Sequence, residues 1–210
     1  MKDVVTTSIR GDALLASVKR GGGSYRGPWY NVYRLAAGAV ISEAVLRGVV
    51  AVDNGKLYPG ASRGEGALRE LADNVGAESK RDSIRGWLER TGPWAREAIE
   101  RELAEGSIAR GVVRRILLGT DERLLILDQA TQDQVFASVH DTVAGRRPAT
   151  VDEALLVILL GSAAMLQYHV RTTRGRGPRR LFRGLWASLP DDVQAAVNTY
   201  ERWPVHGPAD

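Results

Sequence analysis

The feature that most limits how this chain can fold is a run of thirteen residues, Ala154 to Leu166, that carries no charge. Thr150-Val151-Asp152-Glu153 precedes it and reads as a capping box, with Thr150 at the N-cap and Glu153 three residues on. A surface helix shows a polar face, and this stretch shows none, so 150–170 is expected to be a helix buried on all sides. Crossing the hydrocarbon of a bilayer takes about 20 apolar residues, and the run falls short of that. Gly161, Ser162, Ala163 and Ala164 are small and let neighbouring helices come close. The expected fold is mainly α: a single compact helical domain over 1–210 around a central buried helix at 150–170, with one or two small β-hairpins. Residues 1–12 and 203–210 are expected to be tails.

The remaining chain must cover that helix. Residues 13–18 form a short apolar stretch, a helical turn or two or a short strand. Residues 19–27 contain three consecutive glycines, which hold regular structure only at an entropic cost, so a flexible loop carrying Lys19, Arg20 and Arg26 is expected. Val32, Leu35, Ala36, Ala39, Val40 and Leu46 follow a helical period over 31–47. Asp53-Asn54-Gly55 between two short apolar runs signals a hairpin. Helices are expected over 67–75 and 79–90. A break is expected at Thr91-Gly92-Pro93, and a new helix from Pro93 to about Glu105, stopped by Gly106. A second hairpin spans 112–127, with its turn at 119–122. Helices over 132–144 and 188–202 complete the pattern, and 171–183 reads as an arginine-rich loop.

The composition rules out several chemistries. The chain has no cysteine, so disulfides, thiolate metal sites and cysteine nucleophiles are absent. His140, His169 and His206 stand far apart without metal-ligand spacing, and Asp152-Glu153 reads as helix capping. Neither a nucleotide P-loop nor a Gly-x-Ser-x-Gly elbow is present. The chain is therefore expected not to be an enzyme and to need no cofactor or metal. The N-terminus lacks the apolar core of a signal peptide, which points to a cytoplasmic protein.

Charge is more informative. The formal net charge is +4, and no acidic residue lies between Glu153 and Asp191. Arg171, Arg174, Arg176, Arg179, Arg180 and Arg183 fall in that gap, and the first 47 residues are also basic. Clustered arginine suits an anionic partner or a merely solvated basic surface. Two binding readings follow. The order helix, helix, strand, turn, strand over 84–127 is that of a winged helix, which would place Arg96 and Arg101 on phosphates and Arg114, Arg115 and Arg123 on the wing of a nucleic-acid-binding module. Alternatively, the arginines and the aromatic residues near Trp29 sit at a membrane surface. A protein-interaction scaffold without a lipid role is a third possibility.

Taken in order, Leu35 to Gly48, Val49 to Leu57, Ala67 to Val75, Ser83 to Leu88, Leu103 to Ile108 and Asp152 to Leu166 form a set of segments that resembles the Golgi phosphoprotein 3 family. Leu35-Ala-Ala-Gly38-Ala-Val-Ile-Ser-Glu43-Ala-Val-Leu-Arg47-Gly48 is similar to the family's small-residue helix, and Val49 to Leu57 to the strand and turn after it. Ala67 to Val75, Ser83-Ile-Arg-Gly-Trp87-Leu, Leu103-Ala-Glu-Gly106-Ser-Ile108 with its hairpin, and Asp152 to Leu166 are similar to successive later elements. The resemblance implies a helical domain around a buried bundle. It also implies a peripheral membrane role at anionic lipid, a phosphatidylinositol 4-phosphate-like headgroup in a shallow basic pocket, and adaptor rather than catalytic work with a protein partner that the sequence does not name. The resemblance implies headgroup residues Trp29, within about a residue of the family's tryptophan, Arg34, one turn before the family's helix arginine, and Arg90 and Arg96, close to its arginine pair. Ala37 stands where the family has an arginine, and Gly92 and Ala95 stand near its arginine pair. Trp29 also reads as a buried staple against its helix. The resemblance assigns self-association to the hairpin 112–127. The arginines from Arg171 to Arg183 would form a basic membrane-contact loop. The Ala- and Arg-rich composition suggests a bacterial source.

Overall fold

The computed structural model describes residues 8–78, 82–116, 119–169 and 176–201. Among them are eight α-helices and two small antiparallel sheets, so the fold is mainly α with two hairpins. One continuous apolar core joins the helices.

Two helices form its axis. Helix α6, Val151–Ser162, is buried from Ala154 to Leu160 without a polar face, and its capping box is formed by Thr150 and Glu153. Helix α2, Trp29–Leu46, is as deeply placed: from Asn31 to Val45 every residue except Tyr33 is buried. Its run of Ala36, Ala37, Gly38 and Ala39 lets several partners approach. α1 (Ile9–Ala16), α3 (Gly66–Ala77), α4 (Ile84–Glu105), α6 and α8 (Asp191–Glu201) all pack on α2. α1, α5 (Gln129–Ala144), α7 (Arg176–Ala187) and α8 pack on α6.

Several boundaries differ from the sequence expectation, each for a local reason. Ile9 to Asp12 belong to α1, capped by Ser8, instead of to a tail. The buried helix stops at Ser162 instead of reaching 170. Met165 donates to Leu160 O and Ala164 to Gly161 O, with Ala164 left-handed at φ 55°, which is a Schellman ending. A short 3-10 turn, Leu166–Tyr168, follows. Thr91-Gly92-Pro93 does not break the chain into two helices: α4 runs through it, with Pro93 in its interior. A Cβ at Gly92 would lie 2.9 Å from Tyr33 Cβ, so glycine here lets α4 cross α2 closely. Buried Trp87, Leu88, Ala95, Ala98 and Ile99 on both sides of Pro93 offset the roughly 3 kcal/mol that an interior proline costs. At the end of α4 the left-handed residue is Ser107 (φ 55°), one place after the expected Gly106.

The first hairpin, β2 (Val50–Asp53) and β3 (Lys56–Pro59), turns at Asn54-Gly55, both with positive φ as a type I′ turn demands. The second pairs β4 (Ala109–Ile116) with β5 (Gly119–Ile126). Ile116 pairs with Gly119, so the connection is two residues long and 119–122, expected as the turn, lie in β5. The glycine segment is not a loose loop. Gly23–Ser24 form β1, paired with Leu124 and Arg123 of β5. Gly21, Gly22 and Gly23 have φ of 83°, 89° and 120°, and a Cβ at Gly22 would meet Leu124 O at 2.8 Å. Glycine is required there by close approach. Finally, residues 176–183 are helical, in α7, and do not form a loop; Arg171 and Arg174 lie outside the described residues.

Candidate functional site

The N-terminal end of α2 gathers the aromatic side chains. Pro28 is its N-cap, with no side-chain cap and no acidic residue in the first turn, so the positive end of the helix is left open. Trp29 and Tyr33 are four residues apart and share a face. The Trp29 ring stands 5.7 Å from that of Tyr33 and 5.3 Å from that of Tyr25. Trp29 is 38 % exposed and Tyr30 41 %.

Arg96 of α4 lies beneath this stack, its guanidinium carbon 5.2 Å from the Trp29 ring centre and 5.8 Å from that of Tyr33. It is buried and ion-paired to Glu100 at 3.0 Å and to Glu122 of β5 at 2.6 Å, with Glu97 at 3.9 Å. The Tyr25 hydroxyl donates to Glu100 Oε1 at 2.5 Å. Burial opposes the charge on Arg96, but Glu100 and Glu122 outweigh it and hold its pKa above the ordinary value. Burial pushes the Glu100 carboxyl upward, with Glu122 and Glu97 adding to the shift against Tyr25 and Arg96. Burial also raises the Tyr25 phenol, helped by Glu100. Both tyrosine and guanidinium stay protonated at neutral pH.

The structure thus brings Trp29 and Arg96 together and holds Arg34 and Arg90 apart from them. Arg34 is buried in α2, about 140° around the helix from Trp29 at 100° per residue. Arg90 is six residues before Arg96 on α4 and faces another way. It pairs with Glu78 at 2.8 Å and Asp82 at 3.1 Å, and covers the Trp87 ring. Tyr25, Tyr33, Glu100 and Glu122 were not singled out from sequence. The i, i+4 spacings Trp29–Tyr33 and Arg96–Glu100 are signals that point to two of them; Tyr25 and Glu122 arrive from distant segments without any local pattern.

Beside the stack, Arg26 donates through Nε to Val18 O (3.0 Å) and through Nη1 to Tyr168 O (2.7 Å), and stacks on Phe136 and Tyr168. Tyr168 is 41 % exposed, and its hydroxyl is close to Gly27. Exposed aromatic rings therefore flank the open end of α2. His169 follows, its Nε2 2.8 Å from Ala16 O. Burial lowers its pKa, and the nearby Arg26 lowers it further, so the ring is neutral and Nε2–H donates.

Helix α7 carries arginines at positions 176, 179, 180 and 183 of its sequence. Arg180 and Arg183 are exposed. Leu181, Phe182, Leu185 and Trp186 pack on the core, and a Cβ at Gly161 would lie 2.8 Å from the Phe182 ring.

Residues 12–200 match the sequence model of the family described as Golgi phosphoprotein 3 (GPP34). The chain belongs to this family. No curated protein matches it. The Golgi phosphoprotein 3 fold here combines the small-residue helix α2, the buried helix α6 and the hairpin after α4 in the order the sequence resemblance implied. Among the described residues, no group of three or more histidines and carboxylates is arranged to hold a metal ion, and no helix is long and apolar enough to cross a membrane.

Proposed function

We infer that this Golgi phosphoprotein 3 family member attaches peripherally to anionic membranes and works there as an adaptor, without chemistry of its own. The observation that carries the reading is the ring of exposed Trp29, Tyr30 and Tyr168 around the uncapped end of α2, with Arg26 and Arg96 behind it. Tryptophan and tyrosine favour the headgroup layer, where one end of the ring is dry and the other wet. An open helix N-terminus favours phosphate. The exposed Arg180 and Arg183 of α7 add long-range attraction, about 1 kcal/mol for each arginine near an anionic surface. Arg34, buried in α2, and Arg90, paired with Glu78 and Asp82, are not part of this proposed site.

The nucleic-acid reading is less favoured. Arg96 is buried and neutralised on α4, and Arg101 is paired with Glu70 at 3.5 Å, so α4 has no free basic face to enter a groove.

Liposome co-sedimentation tests the proposal. The protein should pellet with phosphatidylglycerol or phosphatidylinositol 4-phosphate vesicles and not with neutral ones, and high salt should release it. Trp29→Ala with Tyr30→Ala should weaken binding, and so should Arg180→Gln with Arg183→Gln. Failure to bind anionic vesicles at low salt, with a shift of duplex DNA, would reverse the choice of partner. Failure of both would leave a protein-interaction scaffold.

A further inference from the structure

The geometry points to an internal latch: the Glu122 carboxylate occupies the oxyanion position on Arg96, and an incoming phosphate monoester displaces it and frees the hairpin β4–β5 from α4. This rests on the reading of the Trp29 end as a headgroup site and adds its regulation.

Of the three carboxylates around Arg96, Glu97 is the most distant at 3.9 Å, and the two close ones differ in how firmly they are held. Glu100 is on the same helix, takes a second hydrogen bond from Tyr25, and lies against the β4 backbone, where a Cβ on Gly111 would collide with its Oε2. Its side chain is 16 % exposed. Glu122 comes from the hairpin, is held by the Arg96 guanidinium at 2.6 Å, and is 27 % exposed. Of the two, Glu122 is the one that can leave. The guanidinium fork that accepts a carboxylate accepts a phosphate in the same way, and a dianion competes well with a single carboxylate. The half-exposed Trp29 ring over Arg96 marks the side open to solvent.

The exchange has a structural consequence because Glu122 is part of β5. It lies opposite Val113, whose side chain is exposed, as are those of Val112, Leu125 and Leu127. Losing the Arg96 contact detaches the outer half of the hairpin, while Leu124, buried beside β1, keeps its base in place. The same phosphate chemistry is offered by a lipid headgroup or by a soluble inositol phosphate.

Hydrogen exchange of the hairpin amides, 109–116 and 119–126, reads the latch directly. The wild-type protein is measured alone, with phosphatidylinositol 4-phosphate vesicles, with neutral vesicles and with soluble inositol 1,4-bisphosphate. Binding is measured in parallel for wild type, Glu122→Gln and Glu97→Gln. The last variant makes the same change in net charge at the more distant, 68 % exposed carboxylate, 3.9 Å from Arg96, which does not bridge it to the hairpin. We expect faster hairpin exchange with either phosphate ligand. Glu122→Gln should exchange faster without ligand and bind about fivefold more tightly, against less than about twofold for Glu97→Gln. Vesicle binding with unchanged hairpin exchange would overturn the latch and leave the membrane reading intact. Hairpin opening by the soluble phosphate without any vesicle binding would keep the latch and overturn the membrane reading. No response to either ligand would overturn both. The wild-type arm needs no substitution, so a poorly folding variant leaves the test standing.

Discussion

Arg10 of α1 and Glu43 of α2 are joined twice: the Arg10 backbone N–H donates to Glu43 Oε2 at 3.0 Å, and its guanidinium pairs with Oε1 at 3.1 Å. Arg10 Nε also reaches Glu102 of α4 at 2.8 Å, and Glu102 in turn caps α3 by accepting from the Ala67 N–H. Four helices are thus tied by three side chains. Glu43 is 4 % exposed, so removing it leaves a guanidinium without its main counter-charge in the core. Glu43→Ala should cost about 3–5 kcal/mol in urea unfolding. The double replacement Arg10→Met, Glu43→Leu should cost much less, because no charge is then stranded.

Two helix ends can be improved. Ser107 and Ala164 hold left-handed conformations at φ 55°, whereas α2 and α5 end on Gly48 and Gly145. A side chain in that region costs roughly 1–2 kcal/mol, and glycine recovers part of this after its own entropy. Ser107→Gly and Ala164→Gly should each raise stability by about 0.5–1 kcal/mol, seen as a higher Tm.

At the α2–α4 crossing the direction is opposite. Gly92→Ala would push a methyl group to 2.9 Å from Tyr33 Cβ and 3.2 Å from its carbonyl oxygen. Backbone cannot rotate away as a side chain can. A loss of about 1–3 kcal/mol is expected from chemical denaturation, with the near-UV signal of Trp29 and Tyr33 altered.

The pH dependence of the buried helix α6 can be assigned a sign. Hydrogen bonds from Arg147, the Thr150 N–H and Ser138 bring Glu153 down to about 2 from an ordinary 4.5. A depressed folded-state value means the contribution is complete above the unfolded pKa and is lost as pH falls from about 4.5 through about 2. Glu100 works the other way: its raised value means protonation favours the folded state, so acid partly offsets the loss. Glu153→Gln should flatten the acid limb of the stability profile, and Glu100→Gln should steepen it, in pH-dependent thermal melts.

Much of the fold was legible in local pattern. The Thr150/Glu153 box, the Asn54-Gly55 turn and the period of α2 depend on residues a few places apart, and each formed as read. The misreadings share a cause. Pro93 and the glycines at 21–23 are breakers by intrinsic preference, and tertiary packing against Tyr33 and Leu124 overrode that preference. At the site, Trp29 and Arg96 could be placed because the family resemblance brackets both. Tyr25 and Glu122 could not, because 71 and 26 residues, respectively, separate them from Arg96 along the chain and only the sheet β1–β5–β4 brings them in. Arg90 was credited to the site by nearness in sequence, yet six residues of helix turn it toward Glu78 and Asp82.

The packing of α8 on α2 bears on how the protein is made. Val193, Ala196 and Val197 of α8 cover α2, yet α8 begins roughly 145 residues after α2 ends. At a synthesis rate of about 5–20 residues per second, the nascent chain carries an incompletely covered α2 for roughly seven to thirty seconds. In that interval its alanine-rich surface is a natural client for a ribosome-associated chaperone, and a transcript truncated before α8 should yield a product that aggregates or is degraded.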